Sequence, residues 1–291
     1  MLVLSQVLFS GLATGCVYGL VALSFVLIYK ATGVISFMQG ELLMLGAFVA
    51  LALDVAAGWP WLAAVLAAPL LLALLGALLE RGVLRHALGR SHLTAVLLTF
   101  GLALIIRGVV GAIPAANQIT HRLALPFAGQ PLTLGPLVVA GDQLVVLAAT
   151  ALVVVLLHAF FHRTRLGLAL RACAEDAPVA ALLGVPVARL HTVAWALGAA
   201  LAACAGILAA PFTFVHPAMG LIALKAFPAA VLGGLGSLPG ALCAGLLLGV
   251  VEALAGLALP EGAKEVVPYL LLLVALLLFP SGFGGWLRGR G

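Results

Sequence analysis

Charged side chains are scarce in this sequence, since Asp, Glu, Lys and Arg together account for only 8% of its 291 residues. Soluble globular domains carry about a quarter charged residues, so an ordinary soluble domain is excluded. Hydrophobic residues make up 65% of the chain, and the mean hydropathy is +1.31. The length allows roughly eight or nine hydrophobic segments of about 20 residues each. We therefore expect an all-α polytopic transmembrane helical bundle that forms a single domain over residues 1–291.

Cysteine is also scarce, and its spacing indicates neither a disulfide framework nor a zinc site. The four cysteines show no CxxC pattern, and three of them lie in apolar segments. They are Cys16, Cys173, Cys204 and Cys243. The histidines mostly flank apolar segments, and the pair His158 and His162 lacks the glutamate of an HExxH motif. We expect no bound metal and no catalytic residues.

A phosphate-binding motif is missing as well. The glycine-rich run at 233–240 is not followed by Lys-Ser or Lys-Thr at the spacing of a Walker motif, so we expect no ATPase site in this chain. Glycines here favour either a helix break that lines a path through the membrane or the close packing of two helices. The sequence alone supports both interpretations equally.

Apolar segments follow one another along the whole chain. Their ranges are 4–29, 34–57, 61–79, 93–113, 143–161, 192–214, 227–238, 242–259 and 266–279. The first lacks a preceding basic region and exceeds the core of a signal peptide, so we expect it to be retained. Its glycines Gly11, Gly15 and Gly19 share one helix face, where a second helix can approach closely. Segment 227–238 is too short to span as a straight helix, and the polar start of segment 34–57 around Gly40 predicts a second broken helix.

Basic residues assign the two sides of the membrane. If each segment reverses direction, most lysines and arginines fall on one side, and only Arg122 and Lys264 lie in loops on the other. The first group comprises Lys30, Arg81, Arg85, Arg90, Arg163, Arg165, Arg171, Arg189, Arg288 and Arg290. By the positive-inside rule, we expect an extracytoplasmic N-terminus and a cytoplasmic C-terminus. Loop 162–190 is then cytoplasmic, and the proline-containing loop 114–142 is extracytoplasmic and irregular.

A polar stretch at 171–186 lies within the cytoplasmic loop. Its composition is compatible with a helix up to Gly184, with Glu175 and Asp176 early in that helix, where the helix dipole favours acids. A short helix joined to two spans can transmit a push from a soluble partner into the bilayer. Composition alone favours an ordinary amphipathic loop helix.

Four charged residues lie within or beside apolar segments: Glu41, Arg107, Lys225 and Glu252. An unpaired charge at the middle of a membrane costs roughly 2.5 kcal/mol or more, so these residues need partners or water. They either line a translocation path or gate, or form structural ion pairs. We expect Arg107 and Lys225 to pair with an acid or to extend to the membrane surface.

Five motifs follow one another along the chain and guide its classification. They are FMQGE at 37–41, GLALRACAEDAPVAALLGV at 167–185, KAFPAAVLGGLGSLPGA at 225–241, GVVEAL at 249–254 and FPSG at 279–282. Together they resemble LivH-type permease subunits of branched-chain amino acid ABC importers. This chain has Gln39 where that family commonly has a histidine, so we expect no proton-linked role at this position. The resemblance covers nearly the whole chain.

The resemblance implies a permease subunit that translocates leucine, isoleucine and valine across the bacterial inner membrane. Its implied partners are a LivM-like second permease, two ATPase subunits that hydrolyse the ATP, and a periplasmic substrate-binding protein. The implied ATPase-coupling loop contains Arg171, Glu175, Asp176 and Gly184. Candidate path or gate residues are Gln39, Gly40, Glu41, Lys225, Gly233, Gly234, Gly236 and Glu252.

Three alternatives remain open at this point. The same importer architecture can serve urea or short amides. A self-sufficient secondary transporter or channel would place its coupling ion at Glu41, Glu252 or Arg107. A membrane-embedded enzyme is a more distant possibility, since the sequence shows no clustered His, Asp or Cys constellation.

Overall fold

The computed structural model describes residues 2–87, 92–113, 123, 131–134 and 137–278. This part of the chain forms a helical bundle with one small β-hairpin. The helices are α1 Leu2–Thr32, α2 Gln39–Leu51, α3 Trp61–Gly82, α4 His92–Gly111, α5 Gly141–Arg163, α6 Arg165–Glu175, α7 Ala177–Leu182, α8 Val187–Thr213, α9 Ile222–Leu232, α10 Leu238–Ala258, α11 Glu261–Lys264 and α12 Val267–Leu278. The strands are β1 Pro131–Leu134 and β2 Leu137–Ala140.

Seven helices in the described residues are long and apolar enough to cross a membrane. They are α1, α2 with the π-helical turn Ala52–Ala56, α3 with the 3-10 turn Leu84–His86, α4, α5, α8 and α10. A shorter apolar helical stretch, Pro217–Leu232, contains a 3-10 turn and α9. The prediction of an all-α polytopic bundle with a short, interrupted helix is confirmed, and the protein is a multi-pass membrane protein.

Two predicted helix breaks lie at shifted positions. The second span begins at Gln39, because residues 33–38 are not helical and Gly33 has a φ of +71°. Gly40 therefore lies inside the first turn of α2 and does not break it. The predicted half-helix 227–238 is observed as α9 over Ile222–Leu232. Helix α9 ends before residue 238 because the next helix already starts there. Ser237 caps that helix, and its Oγ accepts a hydrogen bond of 3.2 Å from the Gly240 N–H.

Part of the loop predicted to be irregular at 114–142 is a β-hairpin. Strands β1 and β2 are antiparallel, with Leu132 opposite Val139 and Thr133 opposite Val138. β-Branched residues favour this pairing, and Pro131 is tolerated because it is the first residue of its strand. Residues 114–122, 124–130 and 135–136 lie outside the described residues, as do Arg90, Arg122, Arg288, Arg290 and the motif at 279–282.

The best-packed interface joins α1 to α10. A Cβ on Gly15 would lie 2.8 Å from the backbone of α10, and one on Gly245 would lie 2.5 Å from the backbone of Gly19. Gly11 and Gly249 make similar approaches, so the predicted contact face on α1 is confirmed. Small residues allow such contact between antiparallel helix backbones within a membrane. Helices α3, α4 and α5 instead expose many apolar side chains, as expected for spans that face lipid.

Candidate functional site

The break between α1 and α2 buries polar groups that have no hydrogen-bond partner in the described part of the chain. Ser36 and Gln39 are fully buried, and neither the Ser36 hydroxyl nor the Gln39 amide finds a hydrogen-bond partner among the described residues. The same is true of the Trp195 Nε1 in α8. The Gln39 Nε2 packs on α8, 3.3 Å from where a Cβ on Gly198 would lie. Because buried polar groups are normally paired, this region is suited to hold water or a polar solute.

Glu41 and Arg107 form an ion pair beside this region. The Arg107 Nη2 lies 2.5 Å from the Glu41 Oε1, which confirms that Arg107 pairs with an acid. The second carboxylate oxygen of Glu41 is buried and has no hydrogen-bond partner in the described part of the chain. Gly220 lies so close that its Cβ, if present, would be 3.1 Å from the Glu41 Oε1. The pair therefore joins α2 to α4, and the second carboxylate oxygen of Glu41 can still accept a hydrogen bond.

A cavity of about 160 Å³ contains this ion pair. Its apolar wall includes Phe25, Phe37 and Phe227, whose rings pack on one another with centroid distances of 5.6 and 6.4 Å. Other lining residues are exposed on the outside of the bundle, so the cavity opens at its surface; they include Phe100, Leu104, Leu221 and Leu224. The site offers a guanidinium, a carboxylate and an apolar surface within one small space.

Lys225 and Glu252 belong to a second polar cluster. The Lys225 Nζ lies 4.0 Å from the Glu252 Oε1 and 3.2 Å from the Glu265 Oε1. The Tyr18 hydroxyl donates a hydrogen bond of 2.7 Å to the Glu252 Oε2. Since both oxygens of Glu252 have partners, the cluster ties together α1, α9, α10 and the turn between α11 and α12. The sequence analysis missed Tyr18 and Glu265, although Tyr18 lies between Gly15 and Gly19 on the helix that α10 approaches.

A third cluster, which the sequence analysis missed entirely, joins the end of α3 to the start of α8. Glu80 is fully buried, and its carboxylate accepts hydrogen bonds from the Arg85 Nε at 3.2 Å and Nη2 at 3.1 Å. The Thr192 hydroxyl donates a further bond of 2.6 Å to Glu80. Arg85 also donates to the Ala188 carbonyl at 3.1 Å. Such two-point Arg–carboxylate pairing is strong and directional, so it fixes α3 against α8.

The glycine run that joins α9 to α10 is a tight turn. A Cβ on Gly233 would collide with the backbone of Gly240, and one on Gly240 would collide with the Gly233 carbonyl. Gly234 has a φ of +84°, which favours glycine. A Cβ on Gly236 would meet no atom within 4 Å. Close backbone packing therefore explains Gly233 and Gly240.

The polar stretch at 171–186 contains parts of two helices, whereas the sequence predicted one. Helix α6 ends at Glu175, and Asp176 has an extended conformation with a φ of −154°. The Asp176 Oδ1 accepts a hydrogen bond of 3.0 Å from the Val179 N–H and so caps α7. Pro178, in the first turn of α7, suits a helix start. The prediction that both acids lie early in one helix is therefore wrong for Glu175, which lies at a helix end.

Helices α6 and α7 are held firmly at both ends. Thr164 alone separates α5 from α6, and its hydroxyl accepts a hydrogen bond of 3.0 Å from the Gly167 N–H. A Cβ on Gly167 would lie 2.6 Å from the Phe161 Cα, so the turn requires glycine. At the other end, Gly184 has a φ of +83°, and the Val185 N–H donates to the Ala180 carbonyl at 3.0 Å. This is the hydrogen-bonding pattern of a Schellman motif, which ends α7.

Apolar side chains at the end of α7 are unusually exposed. Leu182 is 88% exposed and Leu183 is 80% exposed, although both lie outside the spanning helices. In the preceding helix α6, Leu170 and Cys173 are buried, and burial raises the pKa of the Cys173 thiol. Exposed apolar residues on a rigid element mark a surface for a partner. The sequence analysis missed these leucines because leucine occurs throughout the chain.

No three His, Cys, Asp or Glu side chains in the described ranges are placed to hold a metal ion. The expectation that this chain binds no cofactor therefore continues to rest on the sequence.

Comparisons with known proteins match nearly the whole chain. The family model described as "Branched-chain amino acid transport system / permease component" matches residues 7–276. The permease protein LivH of the high-affinity branched-chain amino acid transport system of Escherichia coli (strain K12) is 34% identical over 297 residues, covering 96% of this chain and 95% of LivH. The corresponding BraD protein of Pseudomonas aeruginosa is 34% identical with the same coverage. No solved structure matches.

Proposed function

The chain belongs to the family of permease components of branched-chain amino acid transport systems, and we propose that it is the membrane-spanning permease subunit of an ATP-binding-cassette importer for leucine, isoleucine and valine. It acts in the bacterial inner membrane, with its N-terminus outside and its C-terminus in the cytoplasm. Its partners are a LivM-like permease, two ATPase subunits and a periplasmic substrate-binding protein. The chain itself has no ATPase site and binds no cofactor, because its partners hydrolyse the ATP.

The observation that carries the proposal is the Glu41–Arg107 pair at the edge of an apolar cavity. A free amino acid has a carboxylate, an ammonium group and a side chain. Arg107 attracts the carboxylate, Glu41 attracts the ammonium group, and the aromatic wall accepts a branched aliphatic side chain. When the substrate binds, Arg107 and Glu41 separate, and each pairs with one charge of the substrate. Neither side chain is therefore left unpaired as the substrate passes.

The path runs from this cavity along the polar break between α1 and α2. Gln39 supplies buried polar atoms that have no partner among the described residues and can accompany a polar solute. Because the cavity opens at the surface of the bundle, we assign the facing wall to the second permease subunit. This arrangement places the path between the two permeases.

Helix α9 is the proposed moving element of the gate. Its N-terminal side begins after Gly220, whose backbone contacts Gly40, and its C-terminal side joins α10 through Gly233, Gly234 and Gly236. The ion pairs of Lys225 with Glu252 and Glu265 hold one position of α9. Rotation about the glycine turn would change the width of the cavity beside Glu41.

Helices α6 and α7 form the proposed coupling element. Leu182 and Leu183 insert into a groove of an ATPase subunit, and Arg171 and Glu175 lie beside this contact. Asp176 and Gly184 keep α7 short and rigid, so that a movement of the ATPase is passed to α5 and α8. The Glu80–Arg85 cluster then transmits the movement from α8 to α3.

Uptake of leucine by the complete importer in proteoliposomes tests the substrate site. We expect Glu41→Gln to lower the rate by about tenfold or more, because a hydrogen bond to a charged group contributes about 1.5–3 kcal/mol. Asp54→Asn is the matched control, since Asp54 lies in the π-helical turn at the end of the second span and does not line the cavity. Normal uptake by the Glu41→Gln variant would exclude this site. Uptake by the isolated chain without ATP or a binding protein would instead support a secondary transporter.

A further inference from the structure

A second and larger cavity lies between the ends of α1, α5 and α6 and the start of α10. Its volume is about 410 Å³, within the range of small-molecule binding sites. It shares no lining residue with the cavity beside Glu41. The inference drawn from it does not depend on the proposed transport function.

The walls and the mouth of this cavity differ in character. The walls are apolar and include Leu23, Leu27, Val154, Leu157 and Leu238. The more exposed part of the lining, which forms the mouth, includes the basic side chains of Lys30 and Arg171 and the imidazoles of His158 and His162. The two imidazole rings are stacked with a centroid distance of 4.0 Å. The His162 Nδ1 lies 2.9 Å from the His158 carbonyl oxygen and donates a hydrogen bond to it.

The charge of the lining selects the class of ligand. The described residues that line the cavity include two basic side chains and no Asp or Glu. A zwitterionic amino acid would therefore find no carboxylate for its ammonium group. A ligand with a negative head and a long apolar tail satisfies both parts of the site. Since the cavity lies where several spans end, the surrounding bilayer supplies such molecules directly.

We propose that this cavity binds one anionic phospholipid. Its phosphate lies between Lys30 and Arg171, and one acyl chain lies among the apolar residues of α1, α5 and α10. Basic sites between spanning helices bind anionic lipid headgroups in this way. Because Arg171 and Ala174 belong to α6, the lipid also fills the space beneath that helix and supports its position.

Native mass spectrometry of the full-length protein, purified in mild detergent with its copurifying subunits, tests the proposal. The probes are dioleoyl phosphatidylglycerol, dioleoyl phosphatidylcholine and oleate, which have the same acyl chain. We expect one tightly bound phosphatidylglycerol and much weaker binding of phosphatidylcholine. Equal binding of the two phospholipids would overturn the proposal. Preferential binding of oleate would overturn the assignment to a phospholipid.

Two variants test the position of the ligand. Lys30→Gln combined with Arg171→Gln is expected to weaken phosphatidylglycerol binding by about 30-fold, since each basic residue near a membrane surface contributes about a fivefold factor. Arg163→Gln combined with Arg189→Gln removes the same charge from exposed residues outside the cavity and is expected to leave binding unchanged.

Ala174→Phe probes the same cavity without changing its charge. It is expected to displace the acyl chain and to weaken both phospholipids. Equal effects of the two double variants on phosphatidylglycerol binding, or unchanged binding by Ala174→Phe, would contradict the assigned site. If the Lys30 and Arg171 variant does not fold, Ala174→Phe and the comparison of headgroups still decide the question.

Discussion

Glycines have different roles in the α1–α10 interface and in the α6–α7 segment. At the interface, Gly15, Gly245 and Gly249 bring two helix backbones into contact along a buried face. In the α6–α7 segment, Gly167 and Gly184 form turns, and Asp176 caps a helix that presents exposed leucines. The first region fixes the centre of the bundle. The second is equally well defined but faces outward, as expected for an element that receives force from a partner.

The Glu80–Arg85 cluster joins α3 to α8, the helix that follows α7, and breaking it should have the largest effect on stability. Arg85→Ala leaves the buried carboxylate of Glu80 without its cation, which is expected to cost about 3–5 kcal/mol. Thermal unfolding in detergent measures the loss. In the control, Glu80→Leu is added to Arg85→Ala, and we expect it to recover much of the stability. Full stability of the Arg85→Ala variant would show that the cluster does not hold α3 to α8.

A larger side chain in the packed interface should destabilise the protein by a smaller amount. A Cβ at Gly249 would collide with the backbone of Gly15, so Gly249→Val should cost about 1–3 kcal/mol. Gly108→Val in α4 is the matched control, because a Cβ there meets no atom within 4 Å. Equal unfolding temperatures for the two variants would contradict the close contact between α1 and α10.

Removal of the cap of α7 should cost less again. Asp176→Ala is expected to destabilise α7 by about 1 kcal/mol and to lower transport several-fold, with normal insertion. Asp176→Ser keeps the cap and removes the charge. If the charge itself contacts the ATPase, both variants will be impaired equally, and reversal of Glu175 and Asp176 to lysine will uncouple transport. We expect Ser at position 176 to retain most activity.

Labelling of a single cysteine tests the side assigned to α7 with the smallest disturbance. Ala181 is exposed, and Ala181→Cys should react with a membrane-impermeant maleimide only from the cytoplasmic side. Among the native cysteines, Cys173 is buried and adds little background, whereas Cys243 is exposed and is replaced by serine in both labelling variants. Val55→Cys, at the end of the second span, should react only from outside. Labelling of Ala181→Cys from outside would overturn the topology.

Patterns that depend on length and periodicity were predictable from the sequence. The apolar segments gave the spans, and the spacing of Gly11, Gly15 and Gly19 gave the contact face of α1. The cost of a charge in a membrane predicted that Arg107 either pairs with an acid or extends to the membrane surface. It did not identify Glu41 as the partner, because Glu41 is 66 positions away in the chain. Pairing over such a distance depends on how the helices pack.

Features that depend on local competition were not predictable. Asp176 and Pro178 split a stretch whose composition suits one helix, because a cap gained at Asp176 replaces the hydrogen bonds of a continuous helix. The burial of Glu80 was hidden in a loop that is otherwise basic and exposed. Leu182 and Leu183 stand out only after the fold shows which leucines lie outside the spans.

Copurification tests most directly whether the exposed leucines of α7 bind an ATPase subunit. The variant is Leu182→Asp combined with Leu183→Asp, and the control is Val55→Asp, at a residue that is 71% exposed on the assigned opposite side. We predict that the double variant inserts and folds normally but no longer copurifies with the ATPase subunits, whereas the control retains them. Normal copurification together with normal ATP-driven leucine uptake by the double variant would contradict the account.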